Sequence, residues 1–223
     1  MKRENKVIDN FINELIYNSI CRFSYIPKEV WQELPEDFFS ILNLEMGDFF
    51  VKENRPVYNF GFVVEGILKE YYITKDGNEY IKSFSLHGDF TGSYFDLLSG
   101  LPSTCNIRAL KPTKLAVANF KDLQIYFDKN IHWQRLGRML AEKLFIIKAR
   151  REYELLTLSA EERYKKLIHE WTGVETELSQ ILIASYLGIT PISLSRIKKK
   201  IKERINLKGN ESVQPIMVPK GEG

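Results

Sequence analysis

Cysteine is scarce. Cys21 and Cys105 are the two in 223 residues. That excludes a disulfide-rich scaffold, and within one chain it excludes a cysteine-rich zinc site or an all-cysteine iron–sulfur site. Reduced thiols in a cytoplasm fit better. Histidine is nearly as rare, with His87, His132 and His169. No Ser-His-Asp or Cys-His arrangement is legible, so the chain reads as a non-enzyme. His87 lacks the His-x-His partner of a cupin-type site, since position 85 is Ser and position 89 is Asp, and no metal is expected. No apolar run approaches the ~18–20 residues of a membrane span. The basic start MKRENKVIDNFINEL is interrupted by Asp9, Asn13 and Glu14 where a signal core would need apolar residues. The expectation is a cytoplasmic protein with no membrane partner.

What is present is ordinary globular chemistry. At 44% hydrophobic and 27% charged residues, the chain is neither disordered nor fibrous. Its length favours two domains at ~100–150 residues each. The net charge of +3 hides an asymmetry: residues 190–208 carry seven Lys/Arg against one Glu, which leaves 25 Lys/Arg against 28 Asp/Glu elsewhere. A small basic segment on a mildly acidic body suggests a localised polyanion site.

The texture changes along the chain. Ile8, Phe11, Ile12, Leu15 and Ile16 fall on a helical stripe near the start. From Met46 to about Phe120, short apolar or alternating runs are punctuated by Gly47, Gly61, Gly66, Gly77, Gly88 and Gly92. This predicts an all-β sandwich or barrel, with ILKEYYIT and EYIKSFSL paired as a hairpin around Gly77. Core filling is the default reading of Tyr71, Tyr72, Phe84, Phe90, Tyr94 and Phe95. A shrunken, apolar pocket is the sharper one. Beyond Phe120 glycines nearly vanish, and residues 131–157 predict one long helix. Its stripe of Leu136, Leu140, Lys143, Leu144 and Ile147 is of the kind that pairs two chains in coiled-coil fashion. Ser159-Ala160-Glu161-Glu162 is a capping box that opens the next helix.

Residues 178–204, LSQILIASYLGITPISLSRIKKKIKER, are the most informative. Leu178, Leu182 and Ile183 give one short helix an apolar stripe. Gly188 sits where a tight turn needs positive φ. Thr190 is an N-cap, and Pro191 takes the first helical position. The second helix carries Leu194, Ile197 and Ile201 on one face and Ser193, Ser195, Arg196, Lys199, Lys200 and Lys202 on the other. This is a helix-turn-helix whose second helix suits a DNA major groove. Arg196 can reach guanine O6/N7, Ile192 a thymine methyl, and Ser193 and Ser195 base edges or phosphates. Lys199 and Lys200 can neutralise phosphates, and Thr190 with the first helical amides can hold one. Gly209-Asn210 and VQPIMV suggest a β-hairpin wing.

With these pieces placed, the chain resembles the CRP/FNR family of bacterial transcription regulators over roughly residues 28–215. The resemblance rests on GDFFVKENRPVYNFGFVVEGILKEYY, KDGNEY, HGDFTGSYFDLLSG, LSAEERYKKL and IASYLGITPISLSRIKKKI. It implies an α+β architecture: a cyclic-nucleotide-binding-like β-roll (a jelly-roll-like double-stranded β-helix) over 1–130, a dimerisation helix over 131–157, and a winged helix-turn-helix over 158–223. It also implies a homodimer on a pseudo-palindromic operator in double-stranded DNA, RNA polymerase as a partner, and a small effector in the β-roll. The expected effector pocket holds Gly92, Ser93, Tyr94, Ser103 and Thr104. Ser93 stands where cyclic-AMP-binding members have Glu, and Ser103 where they have the phosphate-holding Arg. Arg108 is near but is no obvious replacement. Cyclic AMP is therefore not expected as the ligand, and no other cofactor is assigned. Cys21 alone cannot form the iron–sulfur cluster of one branch of that family. The alternative is a ligand- or protein-binding sensor module without specific operator recognition.

Overall fold

The computed structural model describes residues 3–22 and 24–211. The chain divides into two compact units, one up to Tyr153 and one from Glu154 onward. The first opens with strand β1 (Arg3–Val7) and helix α1 (Asn10–Cys21). β1 was not foreseen, because KRENKV carries no apolar alternation. Asp9 starts α1 by accepting from Ile12 N at 2.8 Å, and Ile12, Ile16 and Ile20, spaced by four, bury one face of it. Helix α2 (Lys28–Trp31) follows. Then come strands β2 (Ser40–Leu44), β3 (Phe49–Val51), β4 (Asn59–Glu65), β5 (Leu68–Ile73), β6 (Glu79–Ser85) and β7 (Phe90–Thr91), helix α3 (Tyr94–Ser99), strands β8 (Asn106–Ala109) and β9 (Thr113–Asn119), and helix α4 (Phe120–Phe127).

The strands form an antiparallel sandwich. One sheet has the order β1-β2-β9-β4-β7, the other β3-β8-β5-β6. The expected hairpin is β5–β6, with Tyr72 opposite Tyr80 and Ile73 opposite Glu79. β2, β4 and β9 bury both faces, and their alternation separates two cores. Leu42, Leu44, Val63, Leu115 and Val117 pack between the sheets. Ile41, Phe62, Ala116 and Ala118 pack the other way, against α1, α2, α4 and Trp133. The β4–β5 turn needs glycine at position 66: φ is +106°, and a Cβ would stand 2.6 Å from Thr113 Cα.

Helix α5 (Ile131–Thr157) is a single run of 27 residues. Its apolar residues do two different jobs. Trp133 and Leu136 are buried in the first unit's own core. Leu136 is thus committed within the chain and is not on offer to a partner. Leu140 and Leu144 are half-buried, and Lys143 and Ile147 are exposed. Phe145 and Ile146, which the stripe had not included, are also exposed.

The second unit contains helices α6 (Ala160–Glu170), α7 (Val174–Glu177), α8 (Gln180–Leu187) and α9 (Pro191–Glu211). The capping box is formed: Ser159 N donates to the Glu162 carboxylate at 2.8 Å, and Glu162 N donates to Ser159 Oγ at 3.3 Å. α9 continues through Gly209 and Asn210, where a turn was expected; once a helix is under way, each added residue gains a backbone hydrogen bond. VQPIMV, the rest of the expected wing, lies outside the described residues. No helix among the described residues is long and apolar enough to cross a membrane.

Candidate functional site

Two places in the molecule concentrate chemistry, one in each unit. In the second, Ser179 caps α8 and Gly188 takes φ +68° to end it. Thr190 Oγ1 then accepts from Ser193 N at 3.1 Å to start α9. Ile183, Ala184, Leu187 and Leu194 form the buried contact between α8 and α9, while Ile197 and Ile201 are half-buried. The turn is fixed from a third direction that sequence reading missed. Arg163 on α6 donates to Leu158 O at 2.5 Å and to Leu187 O at 3.0 Å, holding the end of α8 to the start of α6.

The basic residues of α9 divide between two faces. Lys198 pairs with Glu175 at 2.5 Å, and Glu175 also accepts from Tyr164 Oη at 2.8 Å. These bonds, the Lys198 contact first, outweigh burial and lower the Glu175 pKa. Burial, then the hydrogen bond to Glu175, raises that of Tyr164. Lys200 and Arg204 both reach Glu161, at 3.4 and 2.8 Å. So Lys200, expected to face DNA, is shared with its own domain. Ser193 is half-buried, with its Oγ 3.0 Å from Thr190 Oγ1 inside the cap. Ile192, Ser195, Arg196 and Lys199 are exposed. Among the described residues Arg196 has no side-chain partner, and Lys199 has only a 4.0 Å approach to Glu203.

In the first unit the expected effector residues separate. Gly92 and Tyr94 line an apolar cavity of about 100 Å³. Ser93, Ser103 and Thr104 turn instead to Asp96, a fully buried carboxylate that the sequence reading passed over. Asp96 accepts from Ser93 Oγ in a close contact, from Ser103 Oγ at 2.9 Å, and from Thr104 N and Oγ1, each at 3.2 Å. Burial pushes its pKa up, but the bonds from Ser93, Ser103 and Thr104 outweigh that and hold it below the usual carboxylate range. The donors converge on a negative charge that the chain itself supplies, and a second anion there would be repelled without a cation to offset it. The Arg108 guanidinium is placed by other contacts: its Nε donates to Gly47 O at 2.7 Å, and it lies 5.2 Å from the centre of the Phe49 ring.

The network continues inward. Ser103 Oγ donates to Cys105 O at 2.9 Å, and Cys105 Sγ to Glu70 at 3.4 Å. Glu70 pairs with Lys82 at 2.5 Å and accepts from Ser83 at 2.9 Å. Burial, then the Glu70 charge, pushes the Cys105 thiol up to about 11. At pH 8 only about a thousandth of it is thiolate, the reactive form. Iodoacetamide at pH 8 is therefore expected to leave Cys105 unlabelled in the native protein and to label it in denaturant, as read by mass spectrometry. Native labelling of Cys105 within minutes would contradict this environment. His87 Nδ1 lies 2.7 Å from Val64 O. Of the aromatics, Tyr71 is buried, Phe90 and Tyr94 line the cavity, and Tyr72 and Phe95 are exposed.

Residues 41–130 match the family model of the cyclic nucleotide-binding domain. No curated protein matches the chain. Among solved structures, FixK2 from Bradyrhizobium japonicum is similar at 22% identity and TM-score 0.65, over 74% of this chain and 85% of that one. A regulator assigned to the CRP/FNR family from Eubacterium rectale is similar at 15% identity and TM-score 0.63, over 78% and 87%. The chain has the fold of the CRP/FNR-type regulators. A CooA variant from Carboxydothermus hydrogenoformans extends that likeness to 90% of this chain and 88% of its own, at 12% identity and TM-score 0.63. The CRP/FNR fold thus accounts for the sandwich and the helices that follow it.

Proposed function

We propose that this chain is a sequence-specific, DNA-binding transcription regulator that acts as a homodimer on a pseudo-palindromic operator. Its effector, on this reading, is not a cyclic nucleotide. The observation that carries the reading is the outward face of α9. Ile192, Ser195, Arg196 and Lys199 are exposed, while Lys198, Lys200 and Arg204 are paired with acidic residues of the same unit. A helix that merely packed would have no reason to keep an unpaired arginine one turn from a capped N-terminus. That is where a recognition helix presents its base-reading side chains. Exposed Phe145, Ile146 and Ile147 on α5 support pairing of two chains. Asp96 supports the exclusion of cyclic nucleotides, since it occupies the donors that an anionic ligand would need. RNA polymerase is the further partner that this reading implies.

The test separates readout from charge. Arg196→Ala should cost about 1–3 kcal/mol on the best duplex and relax preference at one base pair. Lys199→Ala should weaken all duplexes alike and shallow the salt dependence by about one ion. Binding isotherms at several salt concentrations read both. If Arg196→Ala binds its best site as tightly as wild type, α9 does not read sequence.

A further inference from the structure

Helix α9 carries more cations than it leaves free. Arg196, Lys200 and Arg204 are spaced by four and so form one row along the helix, about 6 Å apart at ~1.5 Å per residue. Arg196 is exposed and unpaired among the described residues. Lys200 and Arg204 both turn to Glu161, in the first turn of α6, at 3.4 and 2.8 Å. Lys165 reaches the same carboxylate at 2.7 Å. Three cations thus meet one anion, and the cluster keeps an excess of positive charge. The Glu161 side chain is 18% exposed, against 58% and 55% for Lys200 and Arg204. The carboxylate is enclosed, while the two cations have room to leave it. Packing does not need the arrangement: α9 is already anchored by buried Leu194 and by the Lys198–Glu175 pair, and ion pairs with cations this exposed add little to folding.

We infer that Glu161 is an internal competitor for DNA phosphate: by occupying Lys200 and Arg204 it lowers the affinity of the chain for every duplex, whatever the sequence. A phosphate is the direct rival of a carboxylate for these groups, since both are anions that accept from ammonium and guanidinium donors. Phosphate contacts supply affinity and no sequence information. Glu161 therefore acts on the strength of binding and leaves base preference to Arg196. Salt dependence counts the cations that act, because each phosphate neutralised adds about 0.9 to the slope of log affinity against log salt. With Lys200 and Arg204 held by Glu161, α9 neutralises fewer phosphates than its composition implies. This rests on the reading of α9 as a DNA-contacting helix, but not on operator recognition.

The experiment titrates the full-length protein into a labelled random-sequence duplex over a salt series, read by fluorescence anisotropy. Glu161→Gln removes the charge and keeps the shape. It is expected to bind about tenfold more tightly at physiological salt and to steepen the slope by roughly one to two ions. Glu170→Gln makes the same change of charge at the other end of α6 and should keep the wild-type slope. Replacing Lys200 and Arg204 by Gln in the Glu161→Gln protein should abolish the gain. The ratio of affinities for the best duplex and a scrambled one should be the same in Glu161→Gln as in wild type. The inference is overturned if Glu161→Gln keeps the wild-type slope, with or without a lower melting temperature. It is also overturned if Glu170→Gln steepens the slope as much, or if the gain survives without Lys200 and Arg204. Binding without any sequence preference would end the operator reading and leave these comparisons intact. If neither wild type nor Glu161→Gln binds any duplex, both fall together.

Discussion

Asp96→Ala is expected to destabilise the first unit by about 3–5 kcal/mol, because it strands the donors that Ser93, Ser103 and Thr104 aim at the buried carboxylate, at about 1–3 kcal/mol for each donor that finds no new partner. Ser103 keeps its bond to Cys105 O, which is why the total stays below the sum over all of them. At 2–4 °C per kcal/mol for a unit of this size, the melting temperature should fall by about 10 °C. Asp96→Asn keeps an acceptor but loses the charge, and should cost about half as much. The same carboxylate gives a pH signature. Its pKa is depressed in the folded state, so its contribution is fully present above the ordinary aspartate value and is lost as pH falls through the folded value. Wild type should lose stability on acidification below about pH 4, and Asp96→Asn should lack that part of the decline. Thermal melts at neutral pH and in an acid series read both. A neutral Asp96→Ala variant would mean that the carboxylate does not organise the donors around it.

Leu194→Ala should have the opposite reach. Leu194 is completely buried where α9 meets α8, and truncating such a leucine costs about 2–5 kcal/mol, depending on how far the site collapses. The unit that begins at Glu154 is small, and small units have little stability to lose. The variant is expected to unfold its C-terminal helices at moderate denaturant and to lose all duplex binding, specific and nonspecific, while the aromatic near-ultraviolet signal of the first unit persists. Arg196→Ala, two residues away on the exposed face, should leave folding unchanged and alter only recognition. The pair separates the scaffold of α9 from its reading surface. A Leu194→Ala protein that melts like wild type would contradict the packing described for the two helices.

What was legible in the sequence was local. The β5–β6 hairpin follows from alternation around Gly77, and the α8–α9 turn from Gly188, Thr190 and Pro191, whose chemistry acts within a few residues. What was illegible depends on tertiary closure. Asp96 meets Ser103 and Thr104 only because α3 folds back on the segment before β8. Ser93-x-x-Asp96 at a helix start is the one local signal of this cluster, since that spacing brings the two side chains together. Lys200 looked like an outward cation because its partner, Glu161, lies at the start of α6, far along the chain. The α5 stripe merged two functions in one helical period. Leu136 fills its own core, whereas Phe145, Ile146 and Ile147 remain exposed, and periodicity alone does not distinguish the two.

The most direct measurement is selection of random duplex DNA by the purified chain at physiological salt, followed by sequencing of the retained fraction. The account predicts enrichment of an inverted repeat whose half-sites are centred about one helical turn, ~34 Å, apart, and loss of that enrichment in Arg196→Ala. Retention of duplexes with no preferred sequence, falling steeply with salt and indifferent to Arg196, would contradict it and leave α9 as a basic surface rather than a reader.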